Sequence, residues 1–170
     1  GPNGSGKSTL LKILWGQLPP TTGHVRLQKH DKEVPAGDIY EHVSIATPYM
    51  ELVEEFTLRE MISFHFKFKK ALPGLTIDEV ISRLELGEAR NKFLNNFSSG
   101  MKQRLKLGLA FFSDTPLLFL DEPSTNLDES ALAWYKSLLS SATGRIIVIA
   151  SNQSDEYPGD AIKVDITGFK

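Results

Sequence analysis

The sequence predicts an α/β fold built on a mostly parallel sheet with helices packed over it, and three observations predict it. Residues 117–120 and 145–150 are almost continuously apolar, as strands buried on both faces are. Segments with helical spacing of apolar residues alternate with them, the pattern that produces parallel strands linked by helices. A glycine-rich stretch, Gly1 to Ser8, runs straight into one such helical segment, so a loop-to-helix junction lies at residues 4–9.

Taken in order, residues 8–15 read as a helix with apolar Leu10, Leu11, Ile13 and Leu14, stopped by Gly16 and the Pro19-Pro20 turn. Residues 23–28 alternate like a strand, and residues 42–46 offer a second short strand before Pro48. Helical patterns follow over residues 57–70 and 76–86, separated by Pro73-Gly74. Residues 98–112 form a further helix leading into the apolar strand 117–120, and a helix over 128–139 precedes the strand 145–150. No repeat or long linker divides the chain, so a single domain over residues 1–170 is expected, with a helical subdomain at about 50–112.

Composition narrows the function classes. At 170 residues and 41% hydrophobic, the chain can bury one core of ordinary size. Its 19 basic and 21 acidic residues leave a net charge of -2, which lacks the electrostatic footprint of a nucleic-acid binder. The absence of cysteine excludes disulfides, thiol catalysis and cysteine-bound zinc, and the four histidines are scattered. No run approaches the roughly 18 apolar residues that span a bilayer, so a membrane role is expected to be peripheral. The chain opens on GPNGSGKST without a methionine, and a loop of this kind is normally held between a strand and a helix. The expectation is a domain lacking its N-terminal strands.

Gly1, Gly6, Lys7 and Ser8 satisfy G-x-x-x-x-G-K-[ST], and Gly4 adds a third glycine. Glycine permits close approach of backbone N–H groups to phosphate oxygens, and the helix beginning near Ser8 contributes the positive end of its dipole. Lys7 is suited to the β and γ phosphates and the Ser8 hydroxyl to magnesium. The plain alternative is a glycine-rich turn before a helix.

The second cluster is LLFLDEP, residues 117–123, in which an apolar strand delivers two carboxylates at its C-terminal end. Open α/β sheets bind ligands at that edge. Asp121 fits a magnesium shell and Glu122 a general base that orients and polarises an attacking water. Alone, an acidic pair after a strand is more often a turn or a helix cap; together with the phosphate loop it is a candidate site.

With these residues in place, the chain resembles the ABC ATPase family across essentially its whole length. GPNGSGKST resembles the Walker A motif, LLFLDEP the Walker B motif, and residues 124–128 (STNLD) the D-loop. Phe97-Ser98-Ser99-Gly100-Met101, followed by Lys102-Gln103-Arg104, resembles the signature usually written LSGGQ. The resemblance implies the P-loop NTPase three-layer core with an inserted α-helical subdomain. It implies ATP and Mg2+ as ligands, with Asn3, Ser5 and Thr9 joining Gly1, Gly4, Gly6, Lys7 and Ser8 around the nucleotide, and ATP hydrolysis that powers transport. By the same resemblance two such domains, in a homodimer or heterodimer, pair head to tail, so that Ser98 and the Gly100 backbone meet the γ phosphate held by the other domain's Lys7. A helix start at Ser98 gives that contact a physical basis, and Ser98 is also expected to be its N-cap. A transmembrane permease subunit is the implied partner, the implied location is the cytoplasmic face of a membrane, and the residue that stacks on adenine would lie before Gly1.

Three positions depart from the family pattern. Pro48 stands where a Q-loop glutamine is usual, and proline has no side-chain oxygen for magnesium or water. Thr47 or Tyr49 could replace it, although Tyr49 could equally be a packing residue. Asn152 stands at the switch-histidine position, where it can donate a hydrogen bond to a γ phosphate but cannot titrate. Ser99 and Met101 replace the usual glycine and glutamine of the signature. These changes bear on the rate of hydrolysis more than on nucleotide binding. The segment 56–70, with Phe56, Phe64, Phe66 and Phe68, lies where the family presents a groove to its membrane subunit, and its phenylalanines suit either that groove or the domain's own core.

Two other functions fit parts of this pattern. A regulatory module that binds ATP and dimerises but hydrolyses little is favoured by Pro48 and Asn152 and opposed by Glu122. A soluble ABC ATPase acting on ribosomes or chromosomes finds no coiled coil between Lys7 and Ser98 and no charged linker to support it.

Overall fold

A computed structural model describes residues 1–169. Helix α1 (Lys7–Leu14) grows out of the glycine-rich loop and stops where Gly16 turns with φ 84. Strands β1 (Gln28–Lys29) and β2 (Lys32–Glu33) pair antiparallel. The hairpin turns at His30 and Asp31, both with positive φ (49 and 60), as its tight two-residue loop requires. The strand expected over residues 23–28 is not formed, since only Gln28 of that stretch enters a ladder. Val25, one of its apolar alternates, stays 40% exposed, and among the described residues no strand pairs with residues 23–27.

The short helix α2 (Ile39–His42) passes directly into β3 (Val43–Ala46). Strands β4 (Leu117–Asp121) and β5 (Ile146–Ala150) complete a parallel sheet in the order β3-β4-β5, with Val43 opposite Leu117 and Asp121 opposite Ala150. Strand periodicity divides its side chains between two cores. Val43, Phe119 and Ala150 point to one face, where Leu11 and Trp15 of α1 close over them and Trp15 meets Phe119 edge-on at 5.7 Å. Ala46, Leu118 and Leu120 point to the other face, against the larger core of the remaining helices.

Those helices are α3 (Leu58–Phe68), α4 (Ile77–Arg83) and α5 (Ser99–Phe111), all inserted between β3 and β4, and α6 (Glu129–Ser141) between β4 and β5. Each starts on a side-chain cap. Thr57 with Glu60 and Thr76 with Glu79 form reciprocal capping boxes, while Ser98 accepts from the Met101 N–H and Asp128 from the Ala131 N–H. The expected helices and the two long apolar strands are therefore present with ends shifted by one to three residues, the largest shift being at α4, which stops at Arg83. The arrangement of α1, sheet and helical layer is the three-layer α/β core expected, with its helical insertion.

Arg145, at the N-terminal end of β5, ties three elements together. Its guanidinium donates to the Phe111 carbonyl, the Ser44 hydroxyl and the Thr115 hydroxyl, each at 2.8 Å. These bonds anchor the end of α5 and the starts of β3 and β4, so the opposite, C-terminal edge of the sheet is aligned by a fixed base.

His65 of α3 is buried against Ser113. The Ser113 hydroxyl donates to the Leu109 carbonyl at 2.7 Å, so at 3.0 Å it can only accept from His65, and Nε2 carries the imidazole proton. Burial chiefly, and the Lys69 charge after it, pull the His65 pKa from 6.5 down to about 4. The unfolded chain therefore takes up this proton first. The contribution of neutral His65 to stability, roughly 2–3 kcal/mol, is fully present above about pH 6.5 and is lost as pH falls through about 4. Urea unfolding at pH 7.5 and at pH 4.5 should show that loss in the wild type and a smaller pH dependence in His65→Gln.

Candidate active site

Because β3, β4 and β5 run parallel, their C-terminal ends lie along one edge, which carries Thr47 and Pro48, Asp121 and Glu122, and Ser151 and Asn152. The glycine-rich loop is held at this edge. Gly4 and Gly6 have φ of 77 and 98, conformations that side-chain-bearing residues rarely adopt. A Cβ on Gly1 would lie 2.9 Å from the buried Ser5 hydroxyl, which has no hydrogen-bond partner. The Lys7 ammonium folds back on its own loop, donating to the carbonyls of Gly1 at 2.9 Å and Pro2 at 3.0 Å. Asn152 donates through its side-chain amide to the Asn3 side-chain carbonyl at 2.8 Å, which joins the end of β5 to the loop. Ser8 and Thr9 lie in the first turn of α1.

Asp121 ends β4 almost completely buried, 2% exposed, and its Oδ1 has no partner. A buried carboxylate oxygen without a donor is costly unless a cation or water meets it, and a hard oxygen-seeking cation suits it. Among the described residues no three acidic or histidine side chains converge as a metal cage, so any such ion would take its remaining ligands from elsewhere, for example phosphate oxygens. Glu122 follows with φ 44, a strained conformation for a residue with a side chain, and its N–H donates to the Ala150 carbonyl at 2.9 Å.

The N-terminus of α5 packs on the loop that leaves β4. Gly100 approaches so closely that a Cβ there would lie 2.9 Å from the Asn126 carbonyl. Gln103, 3% exposed, donates through Nε2 to the Pro123 carbonyl at 2.9 Å. Ser98 remains exposed beside them as the helix cap. The structure thus brings Asn152 to the phosphate loop and sets Gly100 beside the segment after Glu122. Among the described residues no hydrogen bond joins Ser98 or Gly100 to the phosphate loop itself.

Sequence reasoning missed two residues here. Gln103 could have been found as the polar member of an otherwise apolar i, i+4 row with Leu107 and Phe111. Glu156 could not, because nothing in its local sequence marks it as buried. Its carboxylate receives the Ser124 N–H at 2.9 Å and the hydroxyls of Ser124 and Ser151. The Tyr135 hydroxyl donates to its main-chain carbonyl at 2.6 Å, and burial first, then the Glu156 charge, raise the Tyr135 pKa.

At the end of β3, the Pro48 carbonyl accepts from Lys106 of α5 at 2.8 Å, and burial, then Lys102, lower the Lys106 pKa. Tyr49 is 79% exposed and is not a packing residue, whereas Thr47 is buried. Tyr49 borders a cavity of about 610 Å³ that Glu51, Glu54 and Lys102 also line. Phe56 and Phe64, stacked edge-on at 5.4 Å, line a second surface cavity of about 320 Å³ on α3, while Phe66 packs against the core and Phe68 is 69% exposed.

The profile of the ABC transporter family matches residues 1–125, which include the phosphate loop, the α5 N-terminus and the two carboxylates. The chain belongs to the ABC transporter family. This ABC chain is 29% identical over 170 residues to the rat (Rattus norvegicus) ATP-binding cassette sub-family A member 2, covering 96% of itself and 7% of that protein. It is 29% identical over 174 residues to the human (Homo sapiens) retinal-specific phospholipid-transporting ATPase ABCA4, covering 99% of itself and 8% of the relative. The ABC chain therefore spans less than a tenth of these relatives' length.

Its fold matches the dimeric post-hydrolysis ATP-binding cassette MJ0796 bound to ADP and Pi, with a TM-score of 0.74, 22% identity, and coverage of 90% of this chain and 72% of that one. It also matches cbiO1 from Clostridium perfringens, part of the ABC transporter complex cbiONQ, with a TM-score of 0.68, 26% identity, and coverage of 90% and 65%. The ABC domain is thus a nucleotide-binding module of the P-loop type. Among its described residues no helix is long and apolar enough to cross a membrane.

Gln103→Met should preserve the shape of the α5 contact while leaving the Pro123 carbonyl buried without a donor. A loss of about 1–3 kcal/mol in denaturant unfolding is expected.

Proposed function

We propose that this chain is the ATP-hydrolysing motor domain of a membrane transporter, acting as one of a head-to-tail pair of ABC domains. The observation that carries the reading is Asp121, whose buried Oδ1 has no partner, followed at once by Glu122 on the strand end that lies beside the Asn152-anchored phosphate loop. That edge pairs a phosphate cradle with one carboxylate suited to a cation and a second one free to act as a base.

In this reading Lys7 leaves the Gly1 and Pro2 carbonyls to meet the β and γ phosphates, and the loop N–H groups with the α1 dipole hold the remaining oxygens. Ser8 and Asp121 hold magnesium, which when bound offsets the charge of the terminal phosphates. Glu122 orients a water and takes its proton as the water oxygen bonds to the γ phosphorus. The bond from that phosphorus to the β–γ bridging oxygen breaks, leaving ADP and inorganic phosphate. Asn152 contributes a neutral hydrogen bond to the γ phosphate. Ser98 and the Gly100 N–H at the α5 N-terminus meet the γ phosphate held by the opposite domain.

The apolar cavity formed by Phe56 and Phe64 supports docking of a permease segment on α3, which would hold the domain at the cytoplasmic face of the membrane. The ABCA relatives and cbiO1 supply the transport context. A second reading, an ATP-binding regulatory module, is favoured by Pro48, which turns only a carbonyl toward Lys106, and by the uncharged Asn152.

Phosphate release from ATP, titrated against protein concentration, separates the two. The motor reading expects activity that rises faster than linearly with protein and falls at least a hundredfold, to order of magnitude, in Lys7→Ala and Glu122→Gln. ATP binding without turnover, even beside the membrane partner, would reject the motor and support the regulatory module.

A further inference from the structure

The carboxylate of Glu156 is among the most deeply buried charged groups of the chain, 1% exposed, and the catalytic reading above gives it no task. It sits in a single 3-10 turn (Ser154–Glu156) just beyond the switch position, and its two oxygens face different loops. Oε1 accepts from the N–H and the hydroxyl of Ser124, two residues after Glu122. Oε2 accepts from the hydroxyl of Ser151, the residue before Asn152. The Ser151 hydroxyl has one proton, and it also lies 2.9 Å from the Gln153 carbonyl while accepting from the Gln153 N–H at 2.8 Å. A carboxylate is a stronger acceptor than a carbonyl, which assigns the proton to Glu156. Three donors converge on this side chain, and a carboxylate meets them with both oxygens; an amide of the same size has one acceptor oxygen and can face Ser151 only by donating a neutral bond to its hydroxyl oxygen.

We propose, resting on the motor reading, that Glu156 is a positioning residue that locks the segment after β4 to the segment after β5, so that Glu122 and Asn152 act on one phosphate from a fixed separation. Two links then join these strand ends. One is the backbone bond from Glu122 N–H to the Ala150 carbonyl, and the other is the Ser124–Glu156–Ser151 bridge. The first fixes where the Glu122 main chain lies. The second fixes the direction in which the chain leaves it, toward the loop that packs on Gly100. The Tyr135 hydroxyl, bonded to the Glu156 carbonyl at 2.6 Å, pins the bridge to α6. A bridge of this kind acts on the geometry of the reacting groups and not on nucleotide affinity, because the phosphate loop and Lys7 lie outside it.

Substitution at either end of the Oε2 link tests this. In Glu156→Gln the amide oxygen can retain the Ser124 side, while the Ser151 proton turns to the Gln153 carbonyl and the amide NH2 faces the Ser151 oxygen, so that the charged bond of this link is lost. Ser151→Ala cuts the same link from the other end. Each variant should lower kcat by roughly ten- to hundredfold with KM and the affinity for a non-hydrolysable ATP analogue unchanged within about twofold. The double variant should be no slower than the slower single one, since both remove one link. Glu156→Asp, which keeps the charge but shortens the reach, should recover part of the rate.

Additive losses, or a lower unfolding midpoint with kcat intact, would overturn the assignment and leave Glu156 a structural residue. Amide hydrogen exchange of residues 124–127 with the analogue bound gives a readout independent of turnover. The bridge requires faster exchange there in both single variants, and equal exchange rejects it. If the wild type binds ATP but does not hydrolyse it, the motor reading fails while this exchange measurement still decides the bridge.

Discussion

The structure depends on β4 being paired on both edges and buried on both faces. Leu118 and Leu120 are completely buried against the helical layer, and Phe119 is closed over by Trp15 on the other side. Ladders to β3 and β5 consume its backbone groups along the whole strand. A strand held this completely has one permitted register, because a slip of a single residue would exchange its two apolar faces and break both ladders. Asp121 is the last residue of that register. Its burial with an unpartnered oxygen is therefore imposed by the core, and the energetic penalty of that placement is carried by the packing of Leu118, Phe119 and Leu120 beneath it.

Glu122 illustrates how the same constraint ends. One residue beyond the ladder the chain takes φ 44, at a local cost of about 1–2 kcal/mol for a residue with a side chain. The conformation is retained because the Glu122 N–H is already committed to the Ala150 carbonyl and the following segment is held by Gln103, Gly100 and Glu156. Rigid strands thus deliver the two carboxylates, and contacts from α5 and from the turn after β5 decide where the second one points. Arg145 performs the matching task at the far end of the sheet by fixing where the strands begin.

Much of this was legible in the sequence because the relevant signals are local. Helix starts at Thr57, Thr76, Ser98 and Asp128 announce themselves by the side chains that cap them, and β4 and β5 by continuous apolar runs. The glycine-rich loop and the Asp121-Glu122 pair could be named as candidates because the two occur together in one chain. What could not be read was long-range. Residues 23–28 have a strand's alternation, but alternation cannot supply a neighbouring edge, and the segment remains outside the sheet. Tyr49 looked as suited to a core as to a site, yet the turn after β3 leaves it in solvent. Gln103 and Pro123 stand 20 residues apart and Glu156 and Ser124 stand 32 apart, so no short window of sequence contains both halves of either contact.

The Lys7 geometry changes what nucleotide affinity means for this domain. Its ammonium already donates to two carbonyls, and the Asn152 amide already has Asn3 as its acceptor. On the proposed reading, a phosphate that draws Lys7 and Asn152 to it would take part in a swap of partners, since those side chains would leave acceptors within the protein. The affinity is then the small difference between two sets of hydrogen bonds of similar strength, to which the gain in charge neutralisation is added. Such an exchange leaves Lys7 and Asn152 with hydrogen-bond partners whether or not a phosphate is bound. The same carbonyls that would compete with a phosphate would also ease its departure.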